Sequence, residues 1–251
     1  MKPTPRAQAL WPDVRAALVR LRAALAPGGF NPTTDAANFR IAMPDAIAAS
    51  VMPHIVEQLQ RATQADLRVL PLTTHDPGPM LERGEADLAI GHFPGAIATL
   101  HTLAGDTALR HERLQESGYL CVMRQGHPLT QADLTLDAYC AAHHLRVSLS
   151  GRAQGLVDQA LRQLDRKRRV LLTVNQYFTA GRVVANSDLL TVLPAVFVNA
   201  IGFPEKVVTR PVPFELPRLH LDMLWHQRYE DSSSQRWLRA ALRDAWLAAR
   251  A

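Results

Sequence analysis

Ten histidines, two cysteines and a scatter of carboxylates are the groups in this chain that could hold a metal or move a proton. A structural or catalytic zinc needs three or four imidazole, thiolate or carboxylate ligands closing on one point. His54 and Glu57 share one helix face by their spacing, but no third ligand follows at a recognised interval, so no metal site is expected. His143 and His144 are adjacent and must point apart in a strand, where successive side chains alternate. Cys121 and Cys140 read as reduced, packed thiols. The chain contains no G-x-S-x-G, no G-x-x-x-x-G-K-[ST] and no G-x-G-x-x-G, so neither a nucleophile elbow nor a phosphate cradle is written into it, and no catalytic residue or cofactor is assigned. Arg166-Lys167-Arg168-Arg169 reads as a solvated basic turn helping to cap a helix C-terminus. What remains is recognition chemistry just past strand ends. In the first half these residues are Pro44, Asp45 and Ala46, then Thr73 and Thr74, then His92 and Phe93. In the second half they are Ser148, Gln154, Asn175, Gln176 and Tyr177, with Thr191 on the last strand. Singly, each also reads as an ordinary loop or cap residue. Together they offer a few directional polar groups beside apolar walls, as small-ligand sites do.

Strands and helices must position these groups. Phe39–Met43 alternates apolar and other residues as a strand, and Asp45 follows as an N-cap type residue. Ile47, Val51, Ile55 and Leu59 then recur every four residues, a helical face that Pro53 is expected to kink or to restart. Leu67–Leu72 and Ala86–Gly91 are further strands, with a short helix at Met80–Arg83 between them. This βαβαβ pattern implies right-handed parallel crossovers, and open sheets of that kind bind ligands at the carboxyl edge. Ala108–Leu114 is a fourth strand. The pattern restarts near Gly118. Strands are expected at Tyr119–Arg124, Leu145–Leu149, Val170–Val174 and Leu189–Leu193, with helices at Asp133–Ala142, Gly155–Leu164 and Tyr177–Ala185. Pro211, Pro213 and Pro217 break the next stretch, then Leu219–Trp225 forms a strand and Ser234–Ala249 an amphipathic helix. The fold class is therefore α/β with two lobes of similar build. Ahead of them, Trp11, Val14, Leu18, Leu21 and Leu25 make a heptad seam within a helix over 5–25, suited to a second copy or to packing on its own domain. Residues 26–37 form a linker rich in Pro, Gly, Asn and Thr.

With 251 residues, 47% hydrophobic and 20% charged, the composition is that of an ordinary globular chain. No apolar run reaches the roughly 18 residues of a membrane span. The charged start, Met1 to Arg6, lacks the apolar core of a signal peptide, which points to the cytoplasm. The net charge of +5 permits nucleic-acid contact without requiring it.

Asn38–Asp45, Gly84–Gly91, Gly126-His127-Pro128-Leu129, Asp188–Pro194 and Leu224–Arg228 followed by Trp237-Leu238 resemble, in order and at matching intervals, the effector-binding half of LysR-type transcriptional regulators. The resemblance spans about residues 39–250, and Pro3–Leu10 resembles the start of the family's linker helix. The nearest branch is that of nodulation and aromatic-degradation regulators. The resemblance implies two Rossmann-like lobes joined by two crossover strands, like type 2 periplasmic binding proteins. Lobe I would be 39–117 with 213–251, lobe II 118–212, and the segments 1–27 and 28–38 a dimerisation helix and a linker. Crossovers are expected near Glu116–Tyr119 and Arg210–Phe214. A small effector would sit between the lobes and the helix would pair subunits into a homodimer or homotetramer. DNA would be read by a winged helix-turn-helix expected before residue 5 and absent from this chain, so no DNA contact is assigned to these residues. Two departures bear on the effector. Pro44 stands where the branch commonly has a hydroxyl residue, and Gln154 and Gln176 stand near positions where it tends to have histidines. Glutamine cannot offer a carboxylate a positive charge, which argues for a neutral or amide-bearing aromatic, with Arg152 as a possible counter-charge. The alternatives sharing this fold are a transport solute-binding protein and a small-molecule enzyme using the same cleft.

Overall fold

Strand β1 (Ala37–Met43) places Phe39, Ile41, Ala42 and Met43 in the core, while Asn38 is exposed and Arg40 half-buried. Phe39, Ile41 and Met43 alternate with Arg40 and Ala42, the period of two expected from the sequence. The strand is seen in a computed structural model that describes residues 4, 6, 7, 10, 11, 13–15, 17, 18, 21, 29–61, 64–102, 107–148 and 155–249. The chain divides into two compact units. Unit 1 comprises the described residues of Met1–Pro44, Val51–Leu114 and Leu221–Ala251; unit 2 comprises those of Asp45–Ser50 and Gln115–His220.

In unit 1, β1 is flanked by two parallel strands, β2 (Ala65–Pro71) and β3 (Leu88–Gly91). Two further strands, β4 (Leu109–Ser117) and β10 (Leu219–His226), complete the order β2-β1-β3-β10-β4, with β10 antiparallel to β3. Helix α1 (Asp45–Arg61) follows β1; its start, Asp45–Ser50 with buried Ile47, is grouped with unit 2, and from Val51 on, with Val51 and Ile55 buried, it belongs to unit 1. Each such side chain contributes roughly 1.5–3 kcal/mol on burial. The helix neither stops nor restarts at Pro53. That residue lies on the exposed side, where a missing N–H leaves only a solvent-facing carbonyl to be hydrated. Glu57, which shares a helix face with His54, pairs with Arg61 one turn on, at 2.6 Å. Short α2 (Gly78–Glu82) and α3 (Pro94–Thr102) pack Leu81 and Ile97 against Ala42, Ala89, Phe93 and Leu224. The closing helix α7 (Ser233–Ala248) buries Leu238, Ala241, Leu242, Ala245 and Trp246, and Trp237 stacks on Phe39 at 5.8 Å between ring centres.

Unit 2 repeats the plan. β6 (His143–Val147) lies between parallel β7 (Arg169–Val174) and β8 (Leu189–Pro194). β5 (Tyr119–Arg124) runs antiparallel to β8 and to β9 (Val207–Pro211), giving the order β7-β6-β8-β5-β9. Helix α4 (Leu136–Ala141) starts at Thr135, whose hydroxyl accepts the Ala138 N–H, and α5 (Leu156–Gln163) and α6 (Tyr177–Val184) follow. The proline-rich stretch thus contains a paired strand, β9, and the crossing between units falls within β10. The expected basic turn is only half correct. Arg166 is on the surface with Asp137, but Arg168 is buried, donating to Asp158 and to the Tyr139 hydroxyl.

α6 passes so close to the following 3-10 segments that residue 181 must be glycine. A Cβ there would lie 2.5 Å from Ile201 Cβ and 2.7 Å from its carbonyl oxygen. Gly181→Ala is therefore expected to cost about 1–3 kcal/mol through overpacking. Chemical denaturation monitored on unit 2 checks this; an unchanged midpoint would mean that the contact yields freely.

Candidate ligand-binding site

Parallel pairing brings strand ends to one edge in each unit. In unit 1, Met43 is level with Pro71, and β3 runs beside β1 with Ala42 opposite Ala89. Pro44, Thr73, Thr74, His92 and Phe93 therefore follow three neighbouring strands at the same edge. Thr73 and Thr74 are exposed, and the Thr74 hydroxyl accepts the Asp76 N–H at 3.0 Å. Phe93 is a core residue. Its ring lies over Gly91, where a Cβ would come within 2.7 Å of the ring's Cζ. The edge also carries His75, which sits beyond the two threonines, where no strand-end signal marks it. Its Nδ1 lies 3.0 Å from the His92 carbonyl oxygen. A carbonyl only accepts, so Nδ1 carries a proton in this contact. Across β3, Asp222 stands opposite Gly91, buried and held by Arg113 Nε at 2.5 Å.

In unit 2, the Ser148 N–H donates to the Val174 carbonyl at 2.8 Å, which sets Ser148 beside Asn175. Asn175 and Gln176 are exposed, and Gln176 occupies the N-cap position of α6 without a capping side-chain bond. Tyr177 opens the helix, half-buried, with its ring 5.1 Å from that of Phe197. Burial pushes its hydroxyl well above the usual phenol range, and the neighbouring Tyr119 adds to the shift. Tyr119 opens β5 opposite Pro194, at this same edge, and burial pushes it up to about 12. It was missed because it begins an antiparallel strand and does not end a parallel one. The two phenols thus stay neutral hydrogen-bonding groups at any ordinary pH.

Asp45 and Ala46 continue directly from Pro44 at the end of β1. Asp45 is the first, exposed residue of α1, and Ala46 is buried behind it. Thr191 sits inside β8, three residues short of its end, fully buried, and its hydroxyl has no hydrogen-bond partner among the described residues. Gln154 and Arg152 lie outside the described residues. Among the described residues no group of three or more His, Cys, Asp or Glu could hold a metal ion, and no helix is long and apolar enough to cross a membrane.

Comparison with known proteins adds a family frame. The family model of the LysR substrate binding domain matches residues 33–247. The transcriptional activator NahR of Pseudomonas putida is 30% identical over 249 residues, covering 97% of this chain and 79% of NahR. The regulator LinR of Sphingobium indicum is 31% identical over 250 residues, covering 96% of this chain and 78% of LinR. Among solved structures, the probable transcriptional regulator PA0477 from Pseudomonas aeruginosa superposes with a TM-score of 0.75 at 24% identity, over 96% of this chain and 78% of that one. The last likeness concerns the fold, and it is the two-lobed fold anticipated from the βαβ pattern.

Proposed function

The chain belongs to the LysR substrate binding domain family, and from that premise we propose that it senses a small aromatic effector through the strand-edge residues of its two units. The observation that carries this is the duplicated edge. Each unit presents three parallel strand ends, dressed with hydroxyls, amides, an imidazole and, in unit 2, two phenols held neutral by burial. The described members of this set include no arginine or lysine to pair with a bare carboxylate, which favours an uncharged or amide-bearing ring. The effector contacts we assign are Pro44, Asp45, Ala46, Thr73, Thr74, His92 and Phe93 from the first half. From the second they are Ser148, Gln154, Asn175, Gln176 and Tyr177, with Thr191 further back on β8. We read the chain as a cytoplasmic sensor and not as a catalyst. Binding biases the conformation only as far as the effector's affinity differs between states, and that bias alters transcription through the family's winged helix-turn-helix.

A thermal-shift screen of small aromatic amides, phenols and acids tests this reading. A ligand present at about 100 times its Kd adds roughly 2.7 kcal/mol of apparent stability. Gln176→Ala and Tyr177→Ala are each expected to abolish the shift from any hit; a shift that survives both places the site elsewhere.

The family frame also suggests the partner for the amino-terminal helix. Leu10, Trp11, Val14, Leu18 and Leu21 are all exposed, a stripe that a second copy of the same helix would cover. The double variant Val14→Glu with Leu18→Glu is expected to sediment as a monomer where the parent chain sediments as a dimer or tetramer. An unchanged oligomer would remove this helix from the subunit contact.

A further inference from the structure

We propose that the Arg15–Asp87 pair is a latch coupling the strand edge of unit 1 to the amino-terminal helix; this rests on that edge being where the effector acts. Among the described residues between 4 and 21, Arg15 alone is shielded from solvent. Its guanidinium reaches unit 1 by two bonds, from Nη2 to Asp87 Oδ1 at 2.5 Å and from Nη1 to the Gly84 carbonyl. Asp87 is fully buried at the entry to β3. Its Oδ2 accepts the Arg40 N–H at 2.8 Å, and its own N–H returns to the Arg40 carbonyl at 2.8 Å. The Arg40 guanidinium shares both of Arg15's acceptors, lying 2.5 Å from the Gly84 carbonyl and 3.4 Å from Oδ1. The carboxylate therefore keeps one cation if the other withdraws, so the node has two arrangements: Arg15 engaged or Arg15 released.

The same strand carries the site at its other end. β3 is four residues long and wholly buried, and His92 and Phe93 follow it directly. At about 3.3 Å per residue, Asp87 and His92 are roughly 17 Å apart along a strand clamped between two neighbours. A close-packed strand of that length moves as a piece, so a displacement at Gly91–Phe93 arrives at Asp87. There it changes which guanidinium the carboxylate holds, and with it the seating of the helix.

Hydrogen exchange of the amides over residues 10–21 in the whole chain tests the latch without any ligand. Arg15→Gln removes charge-assisted bonds and is expected to speed exchange there about tenfold or more while β1 and β3 keep their protection. Phe93→Leu, which loosens the packing on Gly91, is expected to speed exchange over 10–21 in the parent background and to add nothing in the Arg15→Gln background. If Phe93→Leu unfolds unit 1, Leu72→Val, altering the other side chain against Gly91, takes its place. Unchanged exchange in Arg15→Gln, or an equal effect of the strand-end variant in both backgrounds, overturns the latch. Either failure leaves the effector reading standing, because that reading is decided by the thermal shift and not by helix exchange.

Discussion

Arg168→Ala is expected to lower the unfolding free energy of unit 2 by about 3–5 kcal/mol, the cost of breaking a buried ion pair from one side. The Arg168 side chain is only 3% exposed and spans two groups, giving Nε to Asp158 at 2.8 Å and Nη1 to the Tyr139 hydroxyl at 3.1 Å. Burial alone would raise the Asp158 carboxyl. The hydrogen bond and charge of Arg168, then the Gly155 N–H and Arg146, reverse this and hold it below the usual carboxylate range. A depressed carboxyl contributes stability that is present above its unfolded pKa and lost as pH falls through the folded one. The variant should therefore lose stability at neutral pH and show a shallower acid slope. Arg168→Lys keeps the charge but not the fork, and should recover only part of the loss. Urea unfolding at two pH values reads both effects; a variant within 1 kcal/mol of the parent would mean that Arg146 alone satisfies Asp158.

Unit 2 should also weaken by about 3 kcal/mol between pH 6.5 and 4 on account of His144. This ring is fully buried beside Tyr139, with Nε2 2.8 Å from the Tyr139 carbonyl oxygen. Burial, reinforced by the charge of Arg168, lowers it from 6.5 to about 4. The unfolded chain thus binds the proton first, so the stabilisation is whole above pH 6.5 and disappears as pH falls to about 4. His144→Gln, which cannot titrate, should flatten that slope. The measurement must be specific to unit 2, since in unit 1 burial raises Asp87 to about 6 against the pull of Arg15. A carboxyl raised in the fold takes up its proton before the unfolded chain does, so its slope runs the other way between pH 6 and 3.8. Amide exchange on β5, β6 and β8 isolates the His144 effect; a slope retained by His144→Gln would assign it to another group.

The succession of strands was largely readable because each parallel strand announces itself as a short apolar run followed by a helical face. Ile41 and Val69 recur in register as that pattern requires. The site was less readable, and the reason differs residue by residue. Thr73, His92 and Asn175 follow parallel strands, so topology alone sends them to an edge. Tyr119 reaches the same edge by starting an antiparallel strand, which no local signal marks. Phe93 and Thr191 follow from proximity to strand ends, while the way each side chain faces is set by packing that the strand pattern does not name, such as Gly91 under the Phe93 ring. Arg166 and Arg168 belong to one basic run. They part ways because Asp158, ten residues before Arg168, sits where only the second of them can reach it. α3 went unrecognised because Pro94–Thr102 carries no charged residue to set off an apolar face.

Protection mapping with a saturating hit from the aromatic screen tests the central claim most directly. Backbone exchange should slow at Asp45–Ala46, Thr73–His75 and His92–Phe93 in the first half, and at Ser148 and Asn175–Tyr177 in the second. Slowing confined to the edge strands β2, β7 or β9, with those segments unchanged, would contradict the account.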